Sequence, residues 1–170
     1  MDAPERSKET SGKITVETMD KDKFESNIEV LSVTKKKVEE EISEADVIVA
    51  AGRGVKSEKD LELVKELADL IGGQIASTRP LIEAGWVDAK RQIGLSGRTV
   101  KPKLIITCGV SGAIQFVAGM NNSDLIVAIN KDPKAPIFNV ANIGIVGDIY
   151  EIVPKLIENI KSGRDLYETV

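Results

Sequence analysis

Apolar and polar positions follow two rhythms along this chain. Continuous apolar runs rich in β-branched residues recur at residues 46–52, 104–108 and 124–130. This is the pattern of strands buried on both faces. Elsewhere apolar residues return at every third or fourth position, the mark of amphipathic helices. Leu61, Val64, Leu67, Ala68 and Ile71 form one such face, and Ile149, Ile152, Val153, Leu156, Ile157 and Ile160 form another. Ser57 is a candidate cap for the first helix, with Asp60 in its first turn favourable to the dipole, and Gly72-Gly73 stops it. Asp148 is a candidate cap for the last helix, while Pro154 moves the start of its regular part to around Val153. Residues 74–77 read as a short strand, and Pro80 opens a short helix through Ala84. Residues 136–141 read as extended, and residues 143–147 as compact and apolar.

The stretch from Leu104 to Met120 organises the rest. It begins as a buried strand, breaks at Gly109 and resumes as a helix pattern after Ser111. A strand, a tight glycine turn and a helix start can gather free backbone N–H groups at one spot, which suits an anion. Ser111 would cap that helix or bond a phosphate, and Gly112 would let a ligand approach the backbone. An ordinary strand-to-helix turn without a ligand remains open.

The N-terminal part differs. Residues 1–12 are polar and expected to be disordered. Residues 13–18 and 28–33 alternate in the manner of strands, and residues 36–42 suggest a short helix in a charged stretch. Residues 1–44 are therefore expected to form a small β appendage, and residues 45–170 the main domain. Strands alternating with helices predict an α/β, doubly wound, mostly parallel sheet. Such sheets bind ligands at the carboxyl ends of their strands. Gly52-Arg53-Gly54, Thr78-Arg79, the turn at residues 109–112 and Asn130-Lys131 all fall there.

Composition narrows the chemistry. Of 170 residues, 42% are hydrophobic and 29% charged, and the net charge is −4. That balance suits a globular domain and speaks against nucleic acid as a partner. No run is long enough to span a membrane, and the polar N-terminus does not read as a signal peptide. There is no histidine, which removes the commonest general base and metal ligand. A metal site is accordingly not expected. The lone Cys108 closes an apolar strand, reads as a core residue and fits a cytoplasmic protein. A bound cofactor would then carry any redox chemistry. The dinucleotide GxGxxG fingerprint and the P-loop are both absent. Arg53, Arg79 and Lys131 supply positive charge at the strand ends, and Glu83 and Asp88 have no expected side-chain partner, reading as solvated or capping.

Several motifs recur in order: Ala51-Gly52-Arg53-Gly54, Thr78-Arg79 with Ala84-Gly85-Trp86, Gln92-Ile93-Gly94-Leu95-Ser96-Gly97, Gly109-Val110-Ser111-Gly112-Ala113-Ile114-Gln115, and Ala128-Ile129-Asn130-Lys131-Asp132 with Ala135-Pro136-Ile137-Phe138. With these the chain resembles the C-terminal, FAD-binding domain of the electron transfer flavoprotein α subunit, over residues 45–161. The resemblance implies a Rossmann-like domain holding FAD, paired with a β-type subunit and passing electrons from a donor dehydrogenase to an acceptor, without turning over a substrate itself. It implies that Arg53 and the turn of Gly109, Val110, Ser111, Gly112, Ala113 and Ile114 face the diphosphate and adenosine side. It implies Arg79 beside the flavin ring, Thr78 assisting, and Gln92, Gly94 and Ser96 nearby, Ser96 standing for a threonine close to flavin N5. It implies Gln115 at the ribityl chain, and Asn130, Lys131 and Asn142 at the adenosine end. Three positions depart from the family. Phe116 stands for a histidine that bonds the flavin, Leu95 for a glutamine and Asn142 for an aspartate. The first implies a less favourable anionic reduced flavin. The 45 or so residues before the domain are too few for the family's N-terminal domain, which leaves open a fragment or a shortened homologue. A non-redox module for FAD or an adenine nucleotide remains the alternative.

Overall fold

The computed structural model describes Gly12, residues 14–18 and residues 41–163. Among the described residues five strands form one all-parallel sheet. They are β1 (Val47–Ala51), β2 (Gln74–Ser77), β3 (Leu104–Cys108), β4 (Leu125–Asn130) and β5 (Ile143–Val146), in the spatial order β2-β1-β3-β4-β5. The helices are α1 (Leu61–Leu70), α2 (Arg79–Glu83), α3 (Ile114–Val117) and α4 (Ile149–Lys161). The chain winds outward from β1 to β2, then returns to lay β3 on the other side of β1. The carboxyl ends of β1 and β3 are thus the switch point of a doubly wound α/β sheet, where a crevice opens.

Register makes those ends level. Ala51 pairs with Ser77 on one side and with Cys108 on the other, and Cys108 pairs with Ile129. The loops after β1, β2, β3 and β4 therefore leave the sheet along one line. Period-two alternation divides the strand residues between two cores. Val49, Ala51, Ile106, Cys108 and Ile129 pack with Val64, Leu67, Val153 and Ile157 of α1 and α4. Ile48, Ala50, Ile105, Ile126 and Ala128 pack on the opposite face with Ile93, Val100, Phe116, Met120 and Ile137.

The second face is not covered as the sequence pattern suggests. The apolar spacing after Ser111 predicts a full helix, yet α3 has four residues. Its N-cap is Ala113, without a side-chain cap, so Ser111 does not cap it. Short turns complete this layer instead. Residues Pro136–Asn139 form a 3-10 turn where an extended piece is expected, because Pro136 starts the turn and Ile137 is buried completely beneath it.

Of the other expectations, several are met closely and some are not. β2 has the expected bounds, α2 opens with Thr78 as N-cap and Pro80 in its first turn, and Gly72 closes α1 at φ +67°. Asp88 caps a 3-10 turn by accepting from the Lys90 N–H at 2.8 Å. Ser57 precedes a 3-10 turn at residues Glu58–Asp60 rather than α1 itself, and it makes no capping bond. α4 begins at Ile149, capped by Asp148, whose carboxylate accepts from the Tyr150 N–H at 3.0 Å. Pro154 does not delay the helix, since it lies inside α4 on the exposed side and disturbs no packed surface. Ile160, expected on the apolar face, is exposed near the helix end. Residues 143–146 are the edge strand β5, with Ile143 and Val146 exposed. Residues 14–18 carry no strand assignment. The expected strand at 28–33 and residues 36–40 of the expected helix at 36–42 lie outside the described residues; Glu41 is extended and Ile42 opens a 3-10 turn to Glu44.

The loops after β1 and β3 interlock through glycines. Gly52 N donates to Cys108 O at 2.9 Å, and Gly54 N donates to Gly109 O at 2.9 Å. A Cβ on Gly52 would meet Gly109 O at 2.5 Å, and a Cβ on Gly109 would meet Gly54 Cα at 2.6 Å. Gly109 also has φ +66°, in the left-handed region. Gly109→Ala combines a backbone clash with a strained φ. It is expected to lower unfolding free energy by about 2–3 kcal/mol, read as a shift of the urea midpoint. A midpoint unchanged from wild type would contradict the interlock.

Candidate functional site

At the carboxyl edge these loops surround an open cleft of about 780 Å³. Four cations line it, Arg53, Lys56, Arg79 and Lys131, against one acid, Asp148. On a chain of net charge −4 this is a local reversal of sign. Clefts lined by one sign of charge concentrate counter-ions. Arg53 and Lys131 make no ion pair among the described residues. Arg79 Nε donates to Glu83 Oε1 at 2.8 Å, an i,i+4 pair on α2 with both side chains well exposed. Glu83 therefore has a partner that sequence inspection does not supply. An exposed pair of this kind holds by about 0.2–1 kcal/mol, so it orients Arg79 without retaining it.

The turn after β3 supplies backbone donors. Among the described residues the N–H groups of Val110, Ser111, Gly112 and Ala113 reach no backbone acceptor. Val110, Ser111 and Ala113 line the cleft beside Gly109. Consecutive free amides of this kind form an anion-binding concavity. Gly112 does not line it. Its Cβ would meet Ile137 N at 2.2 Å, and Ile137 N donates to Ser111 O at 3.0 Å. The close approach at Gly112 is made by the protein's own backbone. Ile114 is 80% exposed and also lies outside the cleft, while Gln115 lines it.

Asn130 is committed internally. Its Nδ2 donates to Val110 O at 2.8 Å, and its Oδ1 accepts from Asp132 N at 3.0 Å. It thereby ties the turn after β4 to the turn after β3 while bordering the cleft. Asn142 stands apart from the others. It precedes β5, at the amino edge of the sheet, and its Oδ1 accepts from Ile126 N at 2.7 Å. The strand bonding that fixes it is at the end of the sheet opposite the cleft, so the structure does not bring it to the site.

The third wall is a tight loop from Gln92 to Arg98. Arg98 N donates to Gln92 O at 2.7 Å, and Leu95 N donates to Gln115 O at 3.0 Å. Gly94, at φ +132°, presses on Gln115 O, where a Cβ would come within 2.8 Å. Gln92 is 8% exposed, and its Nε2 donates to Ser96 Oγ at 2.8 Å. Gln92, Gly94 and Ser96 all line the cleft. Beside them, since Gln92 bridges to Ser77, Thr78 borders the cleft with its Oγ1 buried and without a hydrogen-bond partner among the described residues. A buried hydroxyl left unpaired is costly. Phe116 is 5% exposed and belongs to the core, so its ring only borders the cleft, while Leu95 is 71% exposed. Cys108 is fully buried, and burial pushes its thiol up to about 12, which leaves no nucleophile there.

Sequence inspection misses Lys56 and the role of Asp148 and Ile149 as cleft walls. The rule that ligand sites lie at strand ends would have reached Asp148 had residues 143–146 been read as a strand. Lys56 is held by Tyr150. Its N–H donates to the Tyr150 hydroxyl at 2.8 Å, and its Nζ lies 4.8 Å from the ring centroid. The same hydroxyl donates to Asp60 Oδ2 at 2.7 Å. That bond, with one from Ser57, lowers the Asp60 pKa, and burial together with Asp60 raises that of Tyr150.

A parallel α/β sheet with a cationic, amide-lined crevice at its switch point defines a protein that binds a phosphate-bearing ligand. Residues 41–121 match the family described as the electron transfer flavoprotein FAD-binding domain, and over that span the chain belongs to this family. It is 57% identical over 167 residues to lactate dehydrogenase (NAD(+),ferredoxin) subunit LctC of Acetobacterium woodii, an alignment covering 98% of this chain and 40% of the relative. It is 50% identical over 145 residues to the electron transfer flavoprotein subunit alpha of Thermoanaerobacterium thermosaccharolyticum, covering 84% and 44% respectively. Against the same subunit of Bacillus subtilis it is 45% identical over 155 residues, covering 91% and 48%. The chain thus spans less than half the length of these relatives. No helix among the described residues is long and apolar enough to cross a membrane.

The Tyr150 bridge yields a pH-dependent expectation. Asp60 with a lowered folded-state pKa adds stability above its unfolded value near 3.9, and loses it as pH falls through the folded value. Tyr150→Phe is expected to lower the melting temperature by about 2–4 °C at pH 7. The gap between variant and wild type should narrow below about pH 4. Equal melting temperatures at pH 7 would show that the bridge does not contribute.

Proposed function

We propose that the chain holds FAD in this cleft and serves as the FAD-binding part of an electron carrier of the electron transfer flavoprotein type. The observation that carries the reading is the run of backbone amides without backbone acceptors among the described residues, set with four cations around one crevice, within a chain of this family. These groups fit a dinucleotide. The amides of Val110, Ser111 and Ala113, with Arg53 and Lys131, suit its diphosphate and its polar adenosine end. Thr78, Ser96, Gln92, Gly94 and Gln115 suit a polar ring and its ribityl chain.

FAD, when bound, supplies reversible one- and two-electron chemistry. The chain's own residues bind, orient and set charge. Arg79 leaves Glu83 at small cost and stabilises negative charge on the ring. Phe116, held in the core, offers no donor, so stabilisation of negative charge falls mainly to Arg79. The role read here is that of a carrier, and the lining of the cleft holds one acid, Asp148, among its cations. A β-type subunit and a donor dehydrogenase are the partners we infer, in the cytoplasm. The name of the lactate dehydrogenase subunit relative supports a dehydrogenase as redox neighbour. A non-redox nucleotide module has no specific observation in its favour.

The purified chain, mixed with FAD and passed through gel filtration, is expected to retain flavin absorption bands. A colourless protein would sink the proposal. In the loaded protein, Arg79→Ala is expected to weaken binding of the reduced flavin relative to the oxidised by about tenfold, lowering a one-electron potential by ~59 mV. An unchanged potential would remove Arg79 from this role.

A further inference from the structure

We infer that Tyr150 is a positioning residue for the nucleotide end of the cleft: it clasps the loop after β1 to the start of α4 and holds the Lys56 ammonium there, with its charge free to meet that of a phosphate. The inference deepens the FAD reading and rests on it. The cleft has two ends, because its walls follow strands at opposite edges of the sheet. Thr78 and Arg79 follow β2 at one edge, and Asp148 and Ile149 follow β5 at the other. Lys56 leaves the sheet after β1, the neighbour of β2, yet its backbone is bonded to α4. That bond draws Lys56 towards the β5 end, where Lys131, after β4, and Asp148 also line the cleft.

The hydrogen bonds leave the clasp one arrangement. The Tyr150 hydroxyl has a single proton, and an ionised carboxylate only accepts. That proton therefore goes to Asp60 Oδ2 at 2.7 Å, and the hydroxyl oxygen accepts from Lys56 N at 2.8 Å. Both flanks of Lys56 are fixed. Val55 before it is buried in the core, and beyond it Asp60 N donates to Ser57 O at 3.1 Å. Tyr150 itself packs against the core that α1 and α4 share, and its own N–H donates to Asp148 Oδ1. One residue thus braces a cation and an acid of the cleft. Lys56 Nζ lies 4.8 Å from the Tyr150 ring centroid and makes no ion pair among the described residues. A ring face holds an exposed cation weakly and leaves its charge in place, whereas a carboxylate would cancel it. The ammonium is placed before a ligand arrives, and little is lost in turning it to a phosphate.

The test is a double-mutant cycle on the full chain with two probes, FAD followed by flavin fluorescence and ADP followed by calorimetry. At low salt, Lys56→Met is expected to weaken both by about tenfold, the loss of a charge-assisted contact. Lys56→Arg keeps the charge and is expected to stay within about threefold of wild type. The deficit of Lys56→Met should shrink as salt rises towards about 1 M, where charge is screened. Tyr150→Phe keeps the ring and removes both hydroxyl bonds. It is expected to weaken both probes by about threefold, with the visible bands of bound flavin unmoved. In the Lys56→Met background it is expected to change affinity by less than about 1.5-fold, while still lowering the melting temperature. An equal loss of affinity from Tyr150→Phe in both backgrounds would overturn the inference, as would a Lys56→Met variant that binds like wild type at low salt. Either result leaves the FAD reading standing. A wild-type chain that binds ADP but not FAD ends the FAD reading, and the same cycle with ADP then decides the clasp. A chain that binds neither overturns both.

Discussion

Everything at the carboxyl edge depends on how closely two backbones approach. The loops after β1 and β3 are in contact through Gly52, Gly54 and Gly109, with no side chain between them. A methyl group at any of the three would force the loops apart. Their contact turns the Val110–Ala113 amides to one side and leaves Arg53 projecting beside them. Asn130 extends the same bracing to β4 by bonding Val110 O. The cleft is therefore shaped by main chain, and its side chains decorate a frame that is already fixed.

That frame explains the division of labour among the polar residues. Some are spent on structure. Asn130 ties two turns, Asn142 holds the start of β5 against β4, and Gln92 bonds Ser96. Others stand ready, with Arg53 and Lys131 making no ion pair among the described residues and Arg79 loosely held. A site that must accept a large polar group needs both kinds, because unbraced donors would lose their order and fully paired ones would have nothing to offer.

Much of this was legible in the amino-acid order, and the failures have identifiable causes. Parallel strands buried on both faces are continuous apolar runs, so β1, β3 and β4 declared themselves. The stop at Gly72 and the cap at Asp148 follow from local backbone chemistry and were equally plain. The layer over the second face was harder. Apolar residues at 114, 116, 117 and 120 share a helical spacing, yet only part of that stretch is helical, because turns anchored by long-range contacts such as Ile137 N to Ser111 O replace the rest. Gly112 looked like a ligand approach for the same reason: sequence shows that a backbone comes close there, and cannot show whose backbone it is. Asn142 was misplaced because the edge strand that begins next to it is short and half exposed. Lys56 was missed because its position depends on Tyr150, ninety-four residues away.

The lack of histidine, set beside the deeply buried Cys108, has a consequence for proton bookkeeping. Apart from the α-amino group, the chain has no group whose ordinary pKa lies between pH 5 and 8, and its one thiol is driven away from that range to about 12. Across neutrality the polypeptide is close to a silent buffer. Protons taken up or released near pH 7 when an electron arrives would belong to the bound group or to a second subunit, and calorimetry in buffers of different ionisation enthalpy would count them almost free of background from this chain.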